Sequence, residues 1–250
     1  MPLAERFAGL GYRVSLSTTS AGRLAELEAV PAEAFLVDIG GPLDDIDAFL
    51  RSDILVVNIT SKDIEGFGRL VQEIETSEVE SVLFVSSTSV YANDSGVVDE
   101  EPGNEIPDHP LVVIENLFRE AAGFRTTVVR FAGLIGANRH PGRFFRGGKI
   151  VRNPDAGVNL IHLDDCLEIL ETIVVEGLWD EVFNACADSH PSKREFYSHA
   201  AALAGAAPPE FGDNDDSGFK IVDNRKLKKA LGYEFRYPDP MAIRFDKNRV

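Results

Sequence analysis

A run of apolar and β-branched residues that ends in hydroxyl side chains constrains the fold of this chain more than any other stretch. Residues 81–85 read Ser-Val-Leu-Phe-Val, and residues 86–91 continue with Ser-Ser-Thr-Ser-Val-Tyr. An apolar run of this length is typical of a strand that is buried on both faces of a parallel sheet. In open α/β sheets, ligands bind outside the carboxyl ends of the strands. The sequence therefore predicts that these hydroxyls open onto a binding crevice.

Strand-like and helix-like segments alternate along the first half of the chain. Predicted strands cover residues 12–16, 35–38, 54–59, 81–85 and 126–130. Predicted helices cover residues 3–10, 21–29, 43–50, a stripe at 67–74, and 110–122. Repeated βα units of this length predict an α/β fold with a doubly wound, mostly parallel sheet and right-handed crossovers.

The alternation breaks after about residue 134. Gly, Pro and Arg dominate residues 136–157. Beyond them the patterns predict an apolar stretch at 158–163, helices at 164–175, 193–204 and 224–231, and strands at 181–185 and 219–222. We expect these pieces to form a small C-terminal lobe that is interleaved with the last strands of the sheet.

Composition excludes several classes of protein. The chain has 25 basic and 41 acidic residues and a formal net charge of −16, which argues against non-specific nucleic-acid binding. No run of about 18 apolar residues is present, so we expect no membrane span. The first residues lack the pattern of a secretory signal. Cys166 and Cys186 are too few for a disulfide scaffold, and we predict a reduced, cytoplasmic protein without a metal site.

Several segments, taken in order, resemble one family. Besides residues 86–91, they are Arg-Phe-Ala-Gly-Leu-Ile-Gly at 130–136, Asn-Leu-Ile-His-Leu-Asp-Asp at 159–165, Val-Phe-Asn at 182–184 and Asp-Asn-Arg-Lys-Leu-Lys-Lys-Ala-Leu-Gly at 223–232. Their order and spacing resemble the extended short-chain dehydrogenase/reductases, the NAD-dependent epimerase/dehydratase family, over nearly the whole chain. The amino-acid sequences of these segments are most similar to those of an atypical bacterial subgroup of this family.

The resemblance implies a domain organisation. Residues 1–133 would form a Rossmann-like dinucleotide-binding domain, to which residues 158–187 add later strands. Residues 134–250 would be largely a C-terminal substrate-side lobe.

The resemblance also implies site residues. For catalysis it implies Ser87, Thr88 and Tyr91. For the cofactor it implies Thr18, Ser20, Arg23, Asp38, Ile39, Ile59, Thr60, Ser86, Arg130, Ala132 and Gly133. For the substrate it implies Arg139, Arg143, Phe144, Arg146 and Asn159.

One departure from the family concerns the acid/base pair. The family carries Tyr-x-x-x-Lys on the helix after this strand, where this chain has Leu111 and Glu115. Leucine cannot transfer a proton, and a glutamate raises the pKa of a neighbouring tyrosine, whereas a lysine lowers it. Tyr91 is the remaining local acid; the alternative, a packed tyrosine at the strand end, stays open.

A second departure concerns the start of the sheet. The family's first strand and its Gly-x-x-Gly-x-x-Gly loop, which cradles the pyrophosphate, would precede Leu3. We therefore expect an N-terminally truncated chain that binds dinucleotides poorly, with a repaired sheet as the alternative. Without strand one, the strands at 12–16 and 54–59 are expected to pair directly, or else to flank a gap that another chain fills.

Two clusters of polar residues bear on the ligands. The turn at residues 17–20, followed by Arg23, suits the 2′-phosphate of NADP, although NAD and simple helix capping by Ser20 stay open. Arg139, Arg143, Arg146, Lys149 and Arg152 place five positive charges within fourteen residues that contain no acid. This cluster predicts an anion site; a solvated loop is the alternative.

These observations predict an NAD(P)-binding epimerase/dehydratase- or reductase-like protein that acts on a small, anionic substrate. The alternative is a non-catalytic dinucleotide or metabolite sensor on the same fold, because fold alone does not choose between them. Expected partners are a small molecule and neither nucleic acid nor membrane, and a homodimer is left open.

Overall fold

A computed structural model describes residues 2–27, 31–43, 46–94, 96–136, 139–145, 149–214 and 218–244. Its strands are β1 (Ser15–Thr18), β2 (Glu33–Leu36), β3 (Ile54–Val57), β4 (Ser81–Ser87), β5 (Gly96–Val98), β6 (Arg125–Phe131), β7 (Gly133–Ile135), β8 (Leu160–His162), β9 (Val182–Ala185) and β10 (Lys220–Val222). Its α-helices are α1 (Pro2–Gly9), α2 (Leu24–Leu27), α3 (Ile64–Glu75), α4 (Pro110–Arg119), α5 (Leu163–Glu176), α6 (Lys193–Leu203) and α7 (Arg225–Leu231).

Two predicted helices are shorter in the structure. The predicted helix at 21–29 begins as a 3-10 turn over Ala21–Arg23 and continues as α2, with residues 28–30 outside the described ranges. The predicted helix at 43–50 contains a 3-10 turn over Ile46–Ala48. The turn over Ala21–Arg23 has no buried residue, and short helices depend on burial of an apolar face for stability.

The first compact unit comprises Met1–Ser86, Asp108–Val128 and Leu170–Glu181. In it β1 pairs with β2 in parallel, with Ser15 opposite Glu33. Strand β3 pairs with β4 in parallel, with Ile54 opposite Ser81, and β4 neighbours β6.

The predicted direct pairing of the strands at 12–16 and 54–59 is wrong. Among the described residues, β1 belongs to a two-stranded sheet with β2, whereas β3 lies at one end of the strand order β3-β4-β6. Strand β2, which follows β1 along the chain, pairs with one edge of β1. The predicted loss of a first strand stays a prediction.

Aromatic packing builds the core of this unit. Phe67 of α3, Phe84 of β4 and Phe118 of α4 are fully buried, and their ring centres are 5.0–6.0 Å apart. Tilted and edge-on ring pairs at such distances are favoured beyond the area they bury. Helix α3 begins at Asp63, whose side chain accepts a hydrogen bond from Gly66 N. The 3.6-residue stripe read from the sequence therefore faces the sheet.

The second compact unit comprises Ser87–Pro107, Val129–Ile169 and Val182–Val250. Strands β5 and β10 pair in parallel, as do β7 and β8. The second half of β6 neighbours β9. Its apolar core includes Ile135, Val158, Leu160, Phe196 and Ile243. The predicted division of the chain at residue 133 stays a prediction.

A buried carboxylate ties the C-terminal segment to this unit. Asp165, in the first turn of α5, is fully buried. It accepts hydrogen bonds from the Tyr233 hydroxyl at 2.8 Å and from the backbone N–H groups of Arg236 and Tyr237 at 2.7 and 3.2 Å. A buried carboxylate needs several donors, and here the C-terminal segment supplies them.

None of the helices in the described ranges has the length and apolarity to cross a membrane.

Candidate functional site

The carboxyl end of β4 is shaped by its own hydroxyl groups. Ser87 Oγ accepts a hydrogen bond from Ser89 N at 3.1 Å, and this bond starts a 3-10 turn over Thr88–Val90. Serine side chains that bond the backbone two residues on are a common turn device. The turn ends the strand and brings Ser87, Thr88 and Ser89 to the wall of a cleft.

The cleft lies within the second unit and has a volume of about 380 Å³. It brings together six of the residues predicted from the sequence, namely Ser87, Thr88, Gly133, Arg139, Phe144 and Asn159. Its wall also contains residues that the sequence analysis missed, among them Ser89, Asn93, Asn153, Lys193, Tyr197, Phe219 and Lys220. The predicted crevice beside Ser87 and Thr88 is therefore present, although a catalytic role for these two residues stays a prediction.

The charge of the cleft wall is of one sign. Arg139, Lys193 and Lys220 line it, and no aspartate or glutamate is among the described lining residues. The whole chain carries 41 acidic against 25 basic residues, so the wall inverts the charge of the protein as a whole. A concave surface of one charge concentrates ions of the opposite charge.

Two of these cations are held by backbone carbonyls. Arg139 Nε donates to Leu134 O at 3.2 Å, and its guanidinium carbon lies 5.9 Å from the Phe144 ring centre. Lys193 Nζ donates to Arg152 O at 3.1 Å. A backbone carbonyl orients a cation and carries no net charge of its own.

Helix α6 positions two of the missed residues. Ser192 and Glu195 form a reciprocal capping box at its start. Lys193 and Tyr197 are four residues apart, so they share one face of the helix, and both line the cleft. The Tyr197 ring packs edge-on against Phe145, and burial raises the pKa of Tyr197. The Lys-x-x-x-Tyr spacing was the available sequence signal.

Asn159 holds the neighbouring strand. Its Nδ2 donates to Lys220 O at 2.8 Å, and its Oδ1 accepts from Val222 N at 2.9 Å. The amide thus satisfies backbone groups of β10. Asn159 borders the cleft, but these bonds to β10 use both its amide nitrogen and its amide oxygen.

Tyr91 and Arg130 lie in a buried network. Arg130 is 1% exposed, and its Nη1 donates to the Tyr91 hydroxyl at 2.7 Å and lies 2.7 Å from Glu105 Oε1. The Tyr91 hydroxyl donates to Asn184 Oδ1 at 2.9 Å. Burial raises the pKa of Tyr91 to about 12, against the opposing effect of Arg130. The structure places Tyr91 and Arg130 in this network, and Tyr91 is not among the described residues of the cleft wall.

In the first unit, the residue at the position of the family's lysine is part of the core. Glu115 is fully buried on α4 and accepts a hydrogen bond from Ser86 Oγ. Leu111 lies in the first turn of the same helix, where its N–H donates to His109 Nδ1. Ser86, a predicted cofactor contact, is therefore engaged with Glu115.

Three predicted cofactor residues lie at the end of β1. Thr18 is the last residue of the strand, and Ser20 and Arg23 follow it. Thr18 Oγ1 accepts from Ser20 N at 3.2 Å, and Arg23 is exposed with its Nε 3.4 Å from Glu26 Oε2. The Ser20 side chain makes no capping hydrogen bond, so the capping interpretation is wrong. Its hydroxyl is not used by the 3-10 turn that follows.

The remaining predicted cofactor residues have separate environments. In the first unit, Asp38 Oδ1 accepts from Gly40 N at 2.9 Å, while Ile39 is buried and its carbonyl accepts from Arg69 Nη2. Ile59 and Thr60 are exposed after β3. In the second unit, Ala132 is buried.

The basic loop is only partly within the described residues. Arg143 lies on the 3-10 turn Pro141–Arg143, and its buried Nε has no hydrogen-bond partner among the described residues. Arg143 is not among the described cleft residues, and Arg146 lies outside the described ranges. Lys149 and Arg152 are exposed.

A search of the described residues finds no group of three or more His, Cys, Asp or Glu side chains that could hold a metal ion. Cys166 and Cys186 are free and buried, and burial raises the pKa of both thiols. Raised thiol pKa values are typical of unreactive, structural cysteines.

No family model matches this sequence. Protein YeeZ of Escherichia coli K12 is 32% identical to it over 259 residues, which cover 97% of this chain and 94% of YeeZ. The chain belongs to the YeeZ family. Protein YeeZ of Escherichia coli O157:H7 matches with the same identity and coverage.

Several solved structures share the fold of this chain. A conserved protein of unknown function from Silicibacter pomeroyi DSS matches with a TM-score of 0.78 at 23% identity, over 96% of this chain and 91% of that one. MoeE5 in complex with UDP-glucose and NAD matches with a TM-score of 0.77 at 18% identity, over 97% and 92%. UDP-glucuronic acid 4-epimerase from Bacillus cereus, in complex with NAD, matches at 0.72 and 17%, over 93% and 88%. The predicted fold class is confirmed as an α/β, Rossmann-like fold of the short-chain dehydrogenase/reductase type with a parallel sheet.

Proposed function

We propose that this protein binds a small anionic substrate in the cleft of its second unit and acts on it as an NAD(P)-dependent epimerase/dehydratase- or reductase-like protein. The observation that carries the proposal is the charge of the cleft wall. Three cations and no described carboxylate line the cleft in a chain of net charge −16. Such an inversion is best explained by a negatively charged ligand.

The fold supports the class of substrate. MoeE5 shares the fold and binds UDP-glucose and NAD, and the Bacillus cereus neighbour is a UDP-glucuronic acid 4-epimerase. Nucleotide sugars are anionic and carry many hydroxyls. The hydroxyls of Ser87, Thr88 and Ser89 and the amides of Asn93 and Asn153 in the cleft wall would hydrogen-bond such a ligand.

The residues at the carboxyl ends of β1 and β2 fit part of a dinucleotide. Thr18, Ser20 and Arg23 offer two hydroxyls and an exposed guanidinium that suit a ribose phosphate, which favours NADP over NAD. Asp38 and Ile39 follow β2, where the adenosine would lie. The bound dinucleotide would supply hydride transfer.

A second candidate is a non-catalytic sensor of the same ligands. It is favoured by the position of the family's lysine, where Glu115 is buried and bonded to Ser86. It is also favoured by Tyr91, whose hydroxyl both accepts from Arg130 and donates to Asn184. At both positions, the side chain that could transfer a proton is therefore held in hydrogen bonds within the protein.

Two titrations test the proposal. Calorimetry with NADP and NAD measures the cofactor, and calorimetry with UDP-glucose and UDP-glucuronic acid measures the anionic substrate class. We expect binding in both arms and an approximately tenfold loss of sugar-nucleotide affinity in Arg139→Met, because a charge-assisted hydrogen bond contributes about 1.5–3 kcal/mol. Arg119→Met, at the exposed end of α4, is the matched control.

The outcomes separate the candidates. Dinucleotide reduction or epimerised product in the presence of a bound sugar nucleotide supports the enzyme. Binding of both ligands without any conversion supports the sensor. A protein that binds neither dinucleotide nor any of the anionic sugars contradicts both.

A further inference from the structure

Lys220 joins the C-terminal strand to the turn that follows β4. Its Nζ donates to Thr88 O at 3.0 Å and to Tyr91 O at 2.8 Å, the carbonyls at either end of the 3-10 turn. Strand β10 is fixed by its parallel pairing with β5 and by the amide of Asn159. The ammonium is therefore held in place from both its stem and its head.

Among the described residues, the hydrogen-bond partners of the Lys220 ammonium are uncharged carbonyls. Within the described ranges, no carboxylate forms an ion pair with Lys220. Burial lowers the pKa of Lys220. A partly buried charge is costly unless it is paired, and carbonyl oxygens compensate only part of that cost. The residue is thus prepared for an anionic partner.

The hydrogen-bonding capacity of Lys220 is also incomplete. An ammonium group has three donors, and the two carbonyls of the turn use two of them. Lys220 lines the same cleft wall as Ser87 and Thr88. A lysine used only to clamp the turn needs no place on that wall.

We propose that Lys220 is the anchor for the anionic group of the ligand, a phosphate or a carboxylate, which it holds against the turn Thr88–Val90. The inference rests on the proposed function, since it names the residue that binds the substrate's charge. The family resemblance predicts a lysine on α4, where this chain has Glu115, whereas Lys220 comes from β10. Lys220 is a binding residue that also positions the turn.

Inorganic phosphate and acetate are the probes, titrated calorimetrically at constant ionic strength without dinucleotide. We expect millimolar binding to the native chain, and an affinity at least about tenfold lower in Lys220→Met, because hydrogen bonds to charged groups are among the strongest. Lys220→Arg keeps the charge and should retain most of the affinity. Lys229→Met, on the exposed side of α7, should bind like the native chain. The probe that binds with the higher affinity, phosphate or acetate, indicates whether the anionic group of the ligand is a phosphate or a carboxylate.

Loss of folding in Lys220→Met is controlled by a second measurement on the native protein. Phosphate should shift the amide NMR signals of Thr88, Ser89 and Lys220. Unchanged signals at these positions, or unchanged affinity in a folded Lys220→Met, would overturn the inference. Affinity lost only in Arg139→Met moves the anion to Arg139 and leaves the proposed function standing. If an anion binds at Lys220 and no dinucleotide binds, the inference about Lys220 stands and the proposed NAD(P)-dependent function fails.

Discussion

Arg130 Nη1 donates a hydrogen bond to the Tyr91 hydroxyl over 2.7 Å, and the guanidinium carbon lies 5.2 Å from the centre of the same ring. The contact joins the segment after β4 to β6 inside the second unit. Both side chains are almost completely buried. The phenol therefore stays protonated at neutral pH, since burial raises its pKa to about 12.

Replacing Tyr91 by Phe should destabilise the protein. The change removes one acceptor from Arg130 and the only described donor to Asn184 Oδ1, and unsatisfied buried polar groups cost about 1–3 kcal/mol. Urea unfolding measures the effect, with Tyr12→Phe at an exposed ring as the control, expected within about 0.5 kcal/mol of the native chain. The catalytic prediction for Tyr91 is tested on the same variant. Unchanged turnover of a substrate would leave Tyr91 as a packing residue.

Introducing the family's lysine at position 115 should be strongly unfavourable. Glu115→Lys places an ammonium group where the buried Ser86 hydroxyl now has an acceptor, and an uncompensated buried charge costs about 3–5 kcal/mol. Glu120→Lys, at the exposed C-cap of the same helix, is the matched control. It should be neutral or slightly stabilising, because a cation suits a helix C-terminus. Equal stability of the two variants would contradict the buried environment of Glu115.

Adding a methyl group at Gly136 should be costly. Gly136 has a φ of 96°, and a Cβ there would meet the His162 ring, whose Nε2 would be the nearest atom. The left-handed backbone and the overpacking together cost about 2–4 kcal/mol in Gly136→Ala. In Gly68→Ala, within α3, the new Cβ meets nothing within 4 Å, and a gain of about 0.5–1 kcal/mol is expected. Thermal unfolding of both variants should move in opposite directions.

The stability of the native chain should depend on the ionisation of Glu100. Burial raises the pKa of Glu100, although its carboxylate accepts from Asn184 N. The folded state therefore favours the protonated form, and stability is lost as the pH rises through the raised folded pKa. Glu100→Gln keeps an acceptor and removes the charge, so its melting temperature should exceed that of the native chain at pH 7.5.

The difference should shrink as the pH falls towards 5, because the native carboxyl then takes up its proton. Glu101→Gln, at the exposed neighbouring residue, should show no such trend. A stability advantage of Glu100→Gln that grows on acidification would contradict the raised pKa.

Local pattern was sufficient for most elements of the fold. The apolar run at 81–85 predicted β4, and the stripe of Phe67, Leu70, Val71 and Ile74 predicted α3, which the structure shows over Ile64–Glu75. Gly232 ends α7 in the left-handed conformation that its residue type favours. These features depend on residues near one another in the chain, so periodicity reports them directly.

The pairing of β1 could not be derived in the same way. Direct pairing of β1 with β3 was expected, but β1 pairs only with β2 among the described residues, whereas β3 lies at the end of another sheet. An unpaired strand edge needs a hydrogen-bonding partner, but this need does not specify which strand the partner is. Local periodicity reports which segments form strands, and it does not report which strand edges pair.

The amino-acid sequence alone was enough to predict the α/β class, the order of the main elements and the hydroxyl-rich strand end at Ser87 and Thr88, because each depends on neighbouring residues. The residues that surround this strand end are set by long-range contacts, which are visible only in the folded chain. Lys220 reaches Thr88 across 132 positions because β10 pairs with β5, and Asn159 fixes that pairing. The same long-range packing buries Tyr91 against Arg130. The charge and the burial of a site depend on contacts between segments that are distant in the chain. A local sequence pattern does not report such contacts.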